Sequence, residues 1–142
     1  MNYIEMDQYE FYKKLKEDFP LLFGEHLRFI ETAPGWNNLI YEFFEKVSAM
    51  KLDNYKLMQI KEKFGGLRLY ADGGNDEIRN LVSSFEQRAS VTCESCGAVK
   101  SVGAASINGW LSVLCKPCYL TEVEKRNPDT KEWKKFVNPK LG

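Results

Sequence analysis

The sequence predicts an α+β fold: three or four helices packed on a small antiparallel hairpin or sheet, followed by a compact cysteine-held module. Three observations predict it. Apolar residues recur at helical spacing in three separate segments. One alternating run straddles a Gly-Gly pair. All four cysteines of the chain fall between residues 93 and 118, as two CxxC pairs.

The first helix is predicted over 6–18. Phe11, Leu15 and Phe19 recur every four residues with Tyr12 beside them, and Pro20 ends the run. Residues 21–32 mix Leu22, Phe23, Leu27, Phe29 and Ile30 with Gly24, and read as a turn and a short helix. Pro34 suits a first helical turn. Trp36, Leu39, Ile40, Phe43, Phe44 and Val47 then fall at i, i+3, i+4, i+7, i+8 and i+11, a wide buried face ending near Met50. At LMQIKEKFGGLRLYA the period changes to two. A two-residue Gly65-Gly66 loop is expected, which pairs Phe64 with Leu67 and Lys63 with Arg68. That register collects Met58, Ile60, Phe64, Leu67, Leu69 and Ala71 on an apolar face, with Glu62 as a misfit. Gln59, Lys61, Lys63, Arg68 and Tyr70 share the other face. A turn at Asp72–Asn75 leads into a helix carrying Ile78, Leu81, Val82, Phe85 and Ala89, with Asp76 and Glu77 favourably placed in its first turn.

The cysteines follow as Cys93-x2-Cys96, eighteen residues, then Cys115-x2-Cys118. This is a zinc-ligand spacing. Four thiolates complete a tetrahedron and leave no open position for an activated water, so the Zn2+ is expected to be structural. A redox dithiol, an iron–sulfur site and a disulfide pair are the alternatives. The N-terminus is charged and lacks an apolar signal core, and no apolar run reaches membrane-spanning length. The expected setting is therefore a reducing cytosol, with no membrane, where paired cysteines hold metal more often than they form disulfides.

The surrounding residues carry a resemblance. Gly97 follows Cys96, Asn108-Gly109 is a hairpin signal between AASI and WLSVL, and Cys115-Lys-Pro-Cys118 opens a helical run stopped at Asn127-Pro128. Knuckle, hairpin, and a helix bearing the last ligands resemble a treble-clef zinc finger, with spacing close to that of GATA-type fingers, over residues 93–127. The reading surface that such fingers turn to DNA is sparse here: the hairpin carries only Lys100 among charged residues, and Lys125 and Arg126 come late in the helix. Over residues 35–118, the combination of Gly35-Trp36, Leu39-Ile40, the IKEKFGGLRLY run, Cys93, Cys96-Gly97, Gly109-Trp110 and Leu114-Cys115 is similar to a group of small bacterial, phage and prophage proteins. That resemblance implies a bacterial or phage cytosol rather than a mechanism.

Three parts are expected: an α+β body over 1–92, the finger over 93–127, and a tail over 128–142. In the tail, Trp133, Phe136 and Val137 stand at helical spacing and are expected to anchor it on the body. The 142 residues carry no net charge, but 1–55 is net −4, 56–70 net +3, 71–92 net −2 and 93–142 net +3. A general nucleic-acid binder shows a clearer basic excess. The one histidine, His26, has no catalytic partner legible in sequence, no phosphate loop or dinucleotide fingerprint is present, and the cysteines are claimed by metal. The expectation is a non-enzymatic protein-binding accessory factor. The hairpin face of Lys61, Lys63, Arg68 and Tyr70 is its candidate contact surface. A nucleic-acid binder using that face, Lys100 and the basic tail is the alternative, and an enzyme the weakest reading. Oligomeric state is not legible.

Overall fold

The computed structural model describes residues 2–136. Helix α1 (Gln8–Asp18) starts later than the apolar stripe implies, because Asp7 caps it: its carboxylate accepts from the Glu10 N–H at 2.8 Å. Phe11 and Leu15 bury its inner face. The short helix expected within 21–32 does not form. After one 3-10 turn at Pro20–Leu22 the chain runs extended along the hairpin instead. Gly24 N–H donates to the Leu57 carbonyl at 2.9 Å, and Glu62 N–H to the Glu31 carbonyl at 3.0 Å. Backbone groups that a helix would have paired internally thus find partners along a strand edge. A further 3-10 turn, Pro34–Trp36, leads into α2 (Asn37–Met50), whose Leu39, Ile40, Phe43, Phe44 and Val47 are buried as the spacing predicts.

Strands β1 (Lys56–Lys63) and β2 (Gly66–Asp72) form the hairpin, with a corrected register. The two loop residues are Phe64 and Gly65, at φ 53° and 77°, the paired positive values of a type I′ turn. Lys63 therefore pairs Gly66, Glu62 pairs Leu67, and Lys61 pairs Arg68. The Glu62 misfit explains the choice. Its carboxylate accepts the N–H of buried Gly65 at 2.6 Å, so the acid on the apolar face satisfies the turn. A bulge between Leu57 and Gln59 breaks strict alternation, so Leu57 and Ile60 are both buried and Met58 is only half-buried. Phe64, expected on the apolar face, is exposed. Helix α3 (Asp76–Ala89) follows, with Asn75 accepting from Ile78 N–H at 3.0 Å and Ile78, Phe85 and Ala89 buried.

The cysteine segment begins with a tight knuckle: Cys93 N–H donates to the Ala98 carbonyl at 2.8 Å and Gly97 N–H to the Cys93 carbonyl at 2.9 Å. Strands β3 (Val102–Ile107) and β4 (Trp110–Cys115) are joined by Asn108-Gly109, both left-handed, as the dipeptide predicts. Helix α4 (Lys116–Arg126) ends at left-handed Asn127, ahead of Pro128. The tail departs from its helical spacing. Residues Lys131–Lys135 form β5, which pairs antiparallel with β3 in a sheet ordered β4-β3-β5. Trp133 lies on α4, its ring 6.4 Å from that of Tyr119 and its Nε1–H donating to the Leu114 carbonyl at 2.9 Å. Phe136 N–H donates to the Val102 carbonyl. These contacts are with the finger, whose β3 edge was open to a third strand, rather than with the 1–92 body. Val137 lies outside the described residues.

Two apolar cores result. One gathers α1, α2, the hairpin and α3, and the other lies between the finger sheet and α4. They meet where fully buried Trp36 donates from Nε1 to the carbonyl of Thr92, the last residue of the body, at 2.9 Å, and Gly35 N–H crosses to the Glu94 carbonyl at 2.8 Å. Among the described residues no helix is long and apolar enough to cross a membrane.

Candidate functional site

The four cysteines converge. The knuckle supplies Cys93 and Cys96, the end of β4 supplies Cys115, and the first turn of α4 supplies Cys118. Their sulfurs all lie within 4.8 Å of one another, and Cys96 Sγ is 3.7 Å from Cys115 Sγ. A tetrahedral ion with metal–sulfur bonds of about 2.3 Å needs sulfurs roughly 3.8 Å apart. A disulfide needs about 2.05 Å, and all four thiols are free. The donor set therefore fits a closed four-coordinate metal site. Cys93 and Cys115 are buried, Cys118 is half-buried and Cys96 is exposed. Burial, together with the hydrogen-bonded Cys115 and Cys96, pushes the Cys118 thiol up. Metal ions bind thiolate, so filling the site would release protons.

A residue not singled out from sequence positions the cage. Glu94 N–H donates to the Val113 carbonyl at 2.9 Å, and the Glu94 carboxylate accepts the Val113 N–H at 2.9 Å. Glu94 thus engages the outer edge of β4 at two points, as a neighbouring strand would, and ties the knuckle to the strand that delivers Cys115. Burial pushes its carboxyl up to about 7, against the pull of the Val113 N–H and with a further push from Glu62. The only sequence signal was its place next to Cys93.

The hairpin face is assembled in part. Lys61, Lys63, Arg68 and Tyr70 share one side of β1–β2, and the like charges that face each other are Lys61 and Arg68. Lys61 and Arg68 are half-buried, while Lys63 and Tyr70 are exposed. Lys63 stands at the turn, its ammonium 5.7 Å over the Phe64 ring. Tyr70 lies apart, lining a hollow of about 400 Å³ with His26, Phe29 and Gln59. His26 itself is exposed, with Nε2 3.6 Å from the Glu25 carboxylate. Lys100 lies across from the turn, at the approach to β3.

Comparison with protein-family models, curated proteins and solved structures gives no match for this chain. The resemblances noted from the sequence rest on their motifs alone.

Proposed function

We propose that the chain is a non-enzymatic binding protein in which a structural zinc ion, held by Cys93, Cys96, Cys115 and Cys118, supports a treble-clef finger, and that its partner is a protein. The metal-site geometry favours an ion with four thiolates and no open position, a framework role rather than water activation. The observation that carries the protein-binding reading is the set of large apolar side chains left exposed around the frame, Phe64, Trp110 and Leu111 among them. A three-part division goes with it: a body over 1–92, a finger over 93–127, and a tail over 128–142 whose residues Lys131–Lys135 form the third strand of the finger sheet. A role as an accessory or regulatory factor in a bacterial or phage cytosol fits the sequence resemblance.

The alternative is a nucleic-acid binder working through Lys61, Lys63 and Arg68, favoured by the pairing of Lys61 with Arg68. Three measurements test these readings. Elemental analysis of the purified chain should return one zinc per molecule. Zinc-loaded protein titrated into labelled single- and double-stranded DNA and RNA should leave anisotropy unchanged, even at about 50 mM salt. Salt-sensitive micromolar binding, lost when the three bases are replaced together, would transfer the function to nucleic acid. On the protein-binding reading, affinity capture by the zinc-loaded chain retains a partner that the chelated chain releases.

A further inference from the structure

Between the β1–β2 turn and the open face of the finger sheet lies a groove of about 1080 Å³. Phe64, Val99, Leu111 and Phe136 line it, all large apolar residues with exposed side chains. Lys100 and Lys135 line it as well, and both are exposed. Among the described residues no carboxylate contributes to the lining, in a chain whose acids and bases are equal in number. Small-molecule sites run from about 300 to 1,000 Å³ and enclose most of their ligand. A half-open groove of this volume matches a segment of polypeptide better than an enclosed metabolite.

Phe64 is the informative residue. It is 74% exposed and sits at φ 53°, a backbone region that bulky side chains avoid. No burial offsets that strain, and glycine occupies the next two positions, so a relaxed turn lies one substitution away. A local rule broken without local gain marks a site kept for something outside the fold. The ring stands at the groove's rim with the Lys63 ammonium above it.

We propose that this groove docks a peptide segment of a partner protein that carries large apolar side chains flanked by aspartate or glutamate. The apolar anchors pack against Phe64, Leu111 and Phe136, and the carboxylates meet Lys63, Lys100 and Lys135. The proposal rests on the protein-binding reading and gives it a surface and a partner chemistry. Two lysines along an apolar lining suit a few carboxylates better than the phosphate ladder of a nucleic acid.

The test uses the zinc-loaded full chain and fluorescein-labelled peptides of about 12 residues, each with a Phe and a Leu set among Asp and Glu. Counterparts with Asn and Gln in place of the acids are the controls. The acidic peptides should bind at micromolar concentration, at least about tenfold tighter than the amide versions at low salt. Phe64→Gly should weaken binding by about tenfold or more while metal content is unchanged and the melting temperature is equal or higher, because glycine suits the turn. Leu111→Ala should weaken binding at unchanged metal content. Binding indifferent to both substitutions overturns the proposal. So does failure of every peptide while partner capture survives in both variants, and in that case the protein-binding reading stands without this groove. A dimer dissociated by Leu111→Ala places a second copy in the groove and overturns it too. Oligonucleotide binding abolished by the same variants overturns both the proposal and the reading beneath it.

Discussion

The body and the finger are held together by different means. The largest fully buried side chains, Trp36, Phe11, Phe43, Phe44 and Phe85 at their head, all lie in the body. Each such aromatic removes on the order of 150–250 Å² from water, which is how a segment of this size sustains itself. The finger core consists of Val102, Ala105, Ile107, Val113, Leu114 and Tyr119 with Cys93 and Cys115. Its largest member is one tyrosine, and two of its members belong to the cysteine cluster. Apolar area holds the first region, while the second gathers around a four-thiol cluster, fit for a metal ion, where knuckle, strand and helix meet. The few bonds joining them, at Gly35 and Trp36, decide how far the loss of one is felt by the other.

The sharpest way to break the comparison is to withdraw the metal. Apparent binding of about 10–16 kcal/mol is available to a structural zinc site. Chelation, or Cys115→Ser, should therefore melt β3–β5 and α4 and leave α1, α2, the hairpin and α3 folded. Residue-resolved hydrogen exchange reads this directly: loss of protection in both regions would show that the body leans on the ion as well. Next is the converse change. Phe43→Ala opens a cavity at a fully buried position and should cost about 3–5 kcal/mol in urea unfolding of the body, without changing zinc stoichiometry.

The junction comes third. A Cβ on Gly35 would land on the Cys93 carbonyl and the Glu94 backbone, so Gly35→Ala should destabilise by about 1–3 kcal/mol and speed zinc release to a chelating dye. Release at the wild-type rate would show that the two regions are coupled only loosely there.

The smallest effect is set by pH. The Glu94 carboxyl is raised from 4.5 to about 7 in the folded chain, chiefly by burial. A raised carboxyl favours the folded state while protonated; that contribution is complete below about 4.5 and is lost as pH rises through about 7. Glu94→Gln removes the charge and keeps an acceptor for the Val113 N–H. It should be more stable than the parent at pH 8 by on the order of 2 kcal/mol, with the gap narrowing toward pH 6. Urea titrations of zinc-loaded protein at both values check the sign, and a gap that widens on acidification would contradict it.

Much of this division was legible in the sequence. The spacing of Trp36 to Val47 gave α2, Asn108-Gly109 gave the finger hairpin, and the cysteine intervals gave the metal site. What escaped was set by interactions across the chain. Gly65-Gly66 tolerates either turn register, and the register is settled by the Glu62 carboxylate on Gly65 N–H together with a bulge near Met58. Trp133, Phe136 and Val137 have a spacing compatible with a helix, yet Lys131–Lys135 is a strand because β3, some thirty residues earlier, offers an edge. Glu94 looks like an ordinary surface acid until its two bonds to Val113 are seen. The groove joins residues 64, 99, 111 and 136, a neighbourhood no local pattern contains.

The position of β5 in the sheet also orders events on the ribosome. The body's last helix ends at Ala89, so its core can close before the second cysteine pair has emerged from the ribosome. Cys93 and Cys96 then wait as open thiols for Cys115 and Cys118, and the β3 edge waits longer still for Lys131–Lys135. At about 5–20 residues per second that interval is on the order of seconds. During it the nascent finger carries unliganded sulfur and an unpaired strand. The cysteine module is thereby the part of the chain most open to oxidation while it is being made, its thiols and one strand edge still unpaired.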